Sequence, residues 1–194
     1  MRFQFPLATT TARIFTYDPR DSVSTHIAER LGELSYEPIT YAHLLDVLGL
    51  DDALWCCRAR PALAPLWRRY AVWCARQVQC YMPDPRSVAA LDVAERHANG
   101  QATDQELADA WTEARDAQVA LYAAVTSCRS MIEAHVAIAA MACTIERSDM
   151  AAASAAAWAN NYIAGAAAWE AWGEPAWYAM RQRLDDGNGK ALGE

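Results

Sequence analysis

Apolar side chains recur every three or four residues along most of the chain, whereas the alternation typical of a strand is nearly absent. This pattern predicts an all-α protein, a single compact domain of about seven to nine helices. Only the stretch RIFTY, residues 13–17, could be extended. We expect the helical domain to span residues 22–185, after a partly irregular N-terminal segment (1–21) and before a flexible tail (186–194).

Residues that cap helix N-termini divide the chain into helical segments. Asp84 followed by Pro85 favours a helix start, and Gly100 ends that helix. Thr103 with Glu106 has the pattern of a capping box, in which side chain and backbone satisfy each other's hydrogen bonds. Further helix starts are predicted at Ser22, Thr40, Asp51, Pro61, Ser130 (with Glu133) and Ser148.

One stretch of the chain is purely basic although the net charge of the protein is −7. Residues 53–83 contain no Asp or Glu, and their arginines are Arg58, Arg60, Arg68, Arg69 and Arg76. In the helix after Pro61, the periodicity predicts that Trp67 and Cys74 face the core. The same periodicity predicts that the last three arginines face solvent.

Two interpretations of these arginines remain open. In the first, they pair inside the domain with acids of neighbouring helices, such as Asp84, Asp92, Asp109 and Asp116. In the second, they form an anion-facing patch that binds a partner. A further helix sets Trp111 toward the core, opposite the carboxylates of Asp109, Glu113 and Asp116. This acidic face is as good a candidate contact surface as the arginines.

The C-terminal half of the chain predicts the centre of the fold. Residues 132–145 are apolar on every side, which is typical of a helix surrounded by several others; Val136 and Ile138 represent its buried positions. Further along, the motif AAAW occurs twice, eleven residues apart. Eleven residues make about three helical turns, so the tryptophans share one face. We interpret this seam, with Trp158, Tyr162 and Trp169, as core packing.

The composition fits a cytoplasmic protein without disulfides. The start of the chain has too short an apolar patch for a signal peptide. Its six cysteines fall in apolar helical patterns, where a free thiol behaves as a small hydrophobic group. Residues 150–169 carry no charge and have the length of a membrane span, but alanine and buried asparagine argue against insertion.

No pattern of catalytic, metal-binding or cofactor-binding residues stands out. The histidines lack Glu or Cys at helical metal-ligand spacing, and there is no Gly-rich phosphate loop. Cys56 and Cys57 could attack an electrophile, but they lie in an apolar turn, and burial is the better interpretation. We therefore expect a protein that is not an enzyme and that needs no cofactor or metal.

Three motifs carry a family resemblance: LLDVLGLDDALWCCRA, YAVWCARQVQ and DPRSVAALDVAERHANGQATDQELADAW. Together with the Ala/Trp-rich C-terminal half, they resemble a group of helical proteins of bacteriophages and prophages that are similar to immunity proteins of bacterial toxin systems. The likeness spans residues 44–172. The shared motifs consist of helix caps and packing positions, and the resemblance implies no catalytic residues.

These observations favour an inhibitor that acts by binding another protein. The resemblance implies a phage-encoded antagonist of bacterial defence, similar in action to an anti-CRISPR protein, with a nuclease or CRISPR effector as the bacterial target. An acidic protein without a recognition motif is not expected to bind nucleic acid sequence-specifically. The alternatives are an immunity protein that neutralises a toxin, a structural or oligomerising helical protein, and an enzyme with a dispersed site.

Overall fold

The computed structural model describes residues 7–16, 22–32, 36–126 and 128–145. Within these ranges eight α-helices account for most of the chain, and the strands are two residues long. The all-α class is therefore confirmed. The chain divides into two compact units, Met1–Leu63 and Ala64–Glu194. The predicted domain limits of 22 and 185 stay a prediction.

The first unit consists of short helices and two short paired strands. In chain order these are β1 (Ala8–Thr9), α1 (Thr11–Thr16), α2 (Ser22–Leu31), β2 (Ile39–Thr40), α3 (Tyr41–Leu48), α4 (Leu50–Trp55) and 3₁₀ turns at Cys56–Ala59 and Pro61–Leu63. The strands are antiparallel, with Ala8 opposite Thr40. Residues 13–16, which could have been extended, are helical, and the Thr10 hydroxyl caps α1 by accepting the Arg13 N–H at 3.2 Å.

The core of the first unit joins α1, α2 and α3 to the turn after α4. Its buried apolar side chains are Ile14, Ile27, Leu44, Leu48, Ala53, Trp55, Cys56 and Ala59. The predicted helix start at Thr40 is confirmed, since its hydroxyl accepts the His43 N–H at 3.1 Å. Arg30 of α2 donates to the carbonyl of Val47 at 2.9 Å, which ties α2 to the end of α3.

The second unit contains four longer helices. These are α5 (Ala64–Arg76), α6 (Pro85–Ala98), α7 (Asp104–Ala123) and α8 (Cys128–Cys143), with a 3₁₀ turn at Gln79–Tyr81 after α5. The predicted caps at Asp84 and Thr103 are confirmed, including both halves of the capping box. Ser130 is not a cap: α8 begins earlier, and the Ser130 hydroxyl accepts the Thr126 N–H at 3.0 Å.

Helix α8 is central in the second unit, as its apolar pattern predicts. It packs against α5, α6 and α7, and α6 likewise packs against the other three helices. Alanine supplies most of the buried side chains of these helices, for example Ala90 and Ala94 on α6 and Ala137 and Ala140 on α8. Small side chains let helix axes approach closely, so this core is built from many short contacts.

Leu91 of α6 is one of the few large side chains that is fully buried in this alanine-rich core. We expect Leu91→Ala to lower the free energy of unfolding by about 2–5 kcal/mol, because a cavity remains where neighbours cannot collapse. Urea unfolding followed by circular dichroism measures this. Val119→Ala, at a 58% exposed position on α7, is the control and should change it by less than about 0.5 kcal/mol. Equal effects of the two changes would contradict this core.

Asp84 gives α6 a pH-dependent cap. Side-chain hydrogen bonds from Arg86 lower the pKa of Asp84 and outweigh the effect of its burial. A lowered pKa stabilises the fold above the unfolded pKa of about 3.9, and this stability is lost as the pH falls. Asp84→Asn keeps a capping oxygen but removes the charge. We expect it to cost about 0.3–1 kcal/mol at pH 7, with the difference from wild type shrinking in urea titrations as the pH falls below the unfolded pKa of about 3.9. A difference constant over that range would refute the charge effect.

Candidate protein-interaction surface

Arg58 and Arg60, the two candidate arginines in the first unit, are engaged within that unit. The Arg58 guanidinium lies 4.1 Å from the centre of the Trp55 ring, and its Nε donates to the Trp55 carbonyl at 3.0 Å. Arg60 donates to the carbonyl of Ala8 on β1. Both side chains are half-buried. They therefore offer a partner only part of their surface.

Arg68 does not face solvent, and the prediction that it does is wrong. It is 3% exposed, and its Nη1 donates to the carbonyl of Cys143 at the end of α8, at 2.6 Å. The buried side of α5 is centred on Ala71 and Ala75, which places position 68 inward. Desolvation lowers the pKa of Arg68, while the charges of Cys143 and Asp104 act in the opposite direction. Arg68 is a packing residue and is removed from the candidate surface.

Arg76 matches the interpretation in which arginines pair with the protein's own acids. It donates to Asp92 at 2.6 Å, to Glu95 at 3.2 Å and to Gln79 at 2.8 Å, and 27% of its side chain is exposed. Burial acts to lower the pKa of Arg76, but the two carboxylates outweigh it and raise the pKa. Arg69 is half-buried, and its Nε donates to the carbonyl of Pro65 at 3.3 Å.

The carboxylates of α7, in contrast, lie at the surface. Glu106, Asp109, Glu113 and Asp116 are all exposed, and their spacing along the helix places them on one side; we call them the acidic stripe. Asp109 accepts from Gln105 of its own helix at 2.8 Å. Glu106 belongs to the capping box, where the Thr103 N–H lowers its pKa.

Two arginines lie beside the end of the stripe. Arg115 donates to Asp116 at 2.8 Å, and its guanidinium lies 5.2 Å from the centre of the Trp111 ring. Arg86 is held by Asp84, and the charges of Glu113 and Asp116 further raise its pKa. Within the described residues, Asp109 and Glu113 have no ion pair with an arginine, lysine or histidine. They are the least neutralised carboxylates of the stripe.

The predicted core residues of the second unit have different outcomes. Trp67, Cys74 and Val136 are buried, as predicted. Ile138 and Trp111 are only half-buried. The Arg115 guanidinium lies over the Trp111 ring. The seam residues Trp158, Tyr162 and Trp169 lie outside the described residues.

Sequence periodicity missed an aromatic pair on α5 with one exposed ring. Trp73 is 59% exposed, and the ring of the half-buried Tyr70 stacks on it with centroids 6.0 Å apart and planes at 23°. Arg69, Tyr70 and Trp73 share one side of α5; together with Gln77, in the turn that follows the helix, we call them the aromatic face. A helical wheel centred on Ala71 and Ala75 could have shown this face, but alanine gives a weak apolar signal beside tryptophan and tyrosine.

Among the cysteines whose side chains the structure describes, Cys56, Cys57, Cys74 and Cys143 are buried. Burial raises the pKa of Cys56 to about 12, with the charge of Asp52 adding to the effect and that of Arg58 opposing it. Burial also raises the pKa of Cys74 and of Cys143. Cys80 is exposed. The thiol of Cys56 is therefore mostly protonated at neutral pH, and its neighbour Cys57 is buried.

Two histidines of the second unit contact side chains of a neighbouring helix. His97 of α6 lies 2.9 Å from Asp104 at the start of α7, and the ring of His135 meets the edge of Tyr122 at 5.2 Å. Among the described residues, no three His, Cys, Asp or Glu side chains converge as metal ligands. Nor does any helix among them combine the length and hydropathy needed to cross a membrane.

Comparisons with known proteins give no information about this surface. The chain matches no family model, and no curated protein and no solved structure is recognisably similar to it.

Thiol labelling checks the burial of the cysteines. With N-ethylmaleimide at pH 7.5, we expect Cys80 to react within minutes and Cys56, Cys57, Cys74 and Cys143 to react at least about a hundredfold more slowly, because the reagent needs an accessible thiolate. Peptide mass spectrometry assigns each site, and labelling in urea shows that every thiol can react once unfolded. Rapid labelling of Cys56 in the native protein would restore it as a candidate nucleophile.

Proposed function

We propose that this protein is an inhibitor that binds a basic, nucleic-acid-handling protein through the acidic stripe of α7. One observation carries the proposal: Asp109 and Glu113 are exposed without an arginine partner among the described residues, while Arg68 and Arg76 are committed to internal contacts. The structure thus favours the acidic candidate surface over the arginine one.

The geometry of the stripe suits a basic groove. A helix rises about 1.5 Å per residue, so carboxylates at positions 106, 109, 113 and 116 follow one another at roughly 5 Å. Such a row of like charges attracts a surface that normally receives phosphates. Complementary potential speeds the encounter and opposes binding of nucleic acid to the same surface. Inhibition by occupation of the groove needs no catalytic group.

An apolar side chain continues the exposed side of α7 beyond its carboxylates. Val119, three residues after Asp116, is 58% exposed. Protein interfaces commonly combine an apolar centre with a polar or charged rim. We propose that Val119 supplies the apolar part of the contact, beside the charged row.

The biological setting of the proposal comes from the resemblance to phage and prophage proteins. We propose on this basis that the protein acts in the bacterial cytoplasm as an antagonist of a defence nuclease or CRISPR effector. An immunity protein that neutralises a toxic nuclease would use the same electrostatics. The identity of the bound protein distinguishes the two.

The test is affinity capture from bacterial lysates that contain defence nucleases, repeated with purified target. We expect stoichiometric capture that DNA competes away and that weakens with salt. In Asp109→Asn/Glu113→Gln the affinity should fall roughly two- to thirtyfold, since partly solvated ion pairs contribute about 0.2–1 kcal/mol each. The dependence on salt should also become shallower.

Asp46→Asn is the matched control, because it removes an exposed carboxylate of α3 in the first unit. It should leave the affinity unchanged. Binding that is insensitive to the stripe variant and to salt would exclude the acidic stripe as the contact. Turnover of a small molecule without a captured protein would favour the enzyme alternative instead.

A further inference from the structure

The aromatic face of α5 sets one exposed ring beside one cation. Trp73 is 59% exposed, with the half-buried Tyr70 ring stacked on it, and Arg69 lies one helical turn earlier. Within the described residues Arg69 has no ion pair with a carboxylate. Tryptophan, tyrosine and arginine are the residues enriched at the energetic centres of protein interfaces. The composition of this face therefore suits a protein partner that carries an apolar seat next to an acid.

The outer side of α7 offers that combination. Beyond the acidic stripe, its exposed side chains include three that are apolar and short: Val119, Ala120 and Ala123. Asp116 precedes Ala120 by four residues, about 6 Å along the helix axis. Arg69 precedes Trp73 by the same distance. Arg115 donates to Oδ1 of Asp116, and the other oxygen, Oδ2, accepts no hydrogen bond within the described residues. Two such helices laid side by side match Trp73 to the alanines and Arg69 to Asp116.

The two faces belong to different sides of the second unit. α5 and α7 each pack on α6 and α8, and they share no comparable packing with each other. Their exposed sides therefore point in different directions, and a single chain cannot bring them together. The contact can form only between two copies of the chain.

We propose that the aromatic face of one copy binds the outer side of α7 of a second copy. The Trp73 ring packs on Ala120 and Ala123 and leaves water, which supplies most of the stabilisation. The ion pair between Arg69 and Asp116 fixes the direction, because the reversed arrangement leaves Arg69 against apolar side chains.

The two patches of this contact differ, so each copy keeps one of each patch free. Association is therefore head-to-tail and continues into longer chains or a closed ring. A target bound at the acidic stripe would compete with the second copy for α7. The inference does not rest on the proposed function, however, because self-association needs no target.

Complementation between two variants of the full chain tests the contact. Trp73→Ala disables the aromatic face and leaves α7 intact, whereas Ala120→Arg sets a bulky cation opposite Arg69 and leaves the aromatic face intact. In sedimentation velocity, we expect the wild-type mass to rise with concentration and each variant alone to associate at least about tenfold more weakly. An equimolar mixture should recover the wild-type affinity and stop at a 1:1 dimer, since only one intact pair of patches remains.

Two matched controls accompany these variants. Ala89→Arg, at an exposed position of α6, and Tyr36→Ala, at an exposed ring of the first unit, should associate like the wild type. A wild-type protein that stays monomeric at every concentration would overturn the proposal. So would single variants that associate at wild-type strength, or a mixture that fails to recover it, because a symmetric contact cannot be complemented in this way.

Photo-cross-linking gives a second readout, which locates the contact. The photoreactive residue p-benzoylphenylalanine replaces Trp73 in a mixture of ¹⁴N- and ¹⁵N-labelled chains. We expect mixed-isotope products that join position 73 to residues 112–123 of α7. Products confined to single chains would show that the face is covered by its own chain, and products with another segment of a second copy would place the contact elsewhere. Either result refutes the proposal.

Discussion

The close approach of helices through alanine side chains is the constraint on which the second unit depends. Ala90, Ala94, Ala137 and Ala140 lie on the two helices, α6 and α8, that each contact the other three. A core of short side chains gains its stability from many small contacts and loses it quickly when one position is enlarged. It also leaves little interior space for large polar groups, which are therefore found mostly at helix ends and on outer faces.

Two arginines of α5 link it to neighbouring helices within this closely packed core. A long side chain can lie along a narrow interface and bring its guanidinium to a backbone carbonyl, as the buried Arg68 does at the end of α8. Arg76 brings its guanidinium to the acids of α6 instead. The basic stretch thus holds helices together inside a unit, and it does not counterbalance the acidic stripe of α7 on the surface.

Features set by local chemistry were predictable from sequence. The caps at Thr40, Asp84 and Thr103 depend on side chains within three residues of the helix start, and all three are confirmed. The central position of α8 was predictable because residues 132–145 are apolar on every side of the helix. The all-α class needed no more than periodicity.

Features set by tertiary packing were not predictable in the same way. The inward direction of α5 is decided by Ala71 and Ala75, whose close packing outweighs the larger apolar surface of Trp73. Sequence hydrophobicity ranks these residues in the opposite order, so it placed Arg68 in solvent. The choice between the acidic and basic surfaces required knowing which charges were already paired.

The hydrogen bond between Arg68 and Cys143 can form only after α8 has been synthesised, well after α5. Its two residues are 75 positions apart, and bacterial and eukaryotic ribosomes add roughly 5–20 residues per second. About 4–15 s therefore separate the synthesis of the two partners. During that interval the nascent α5, α6 and α7 lack the helix that each of them packs against. The newly made chain passes through a stage in which its alanine faces are open to chaperones and to neighbouring chains.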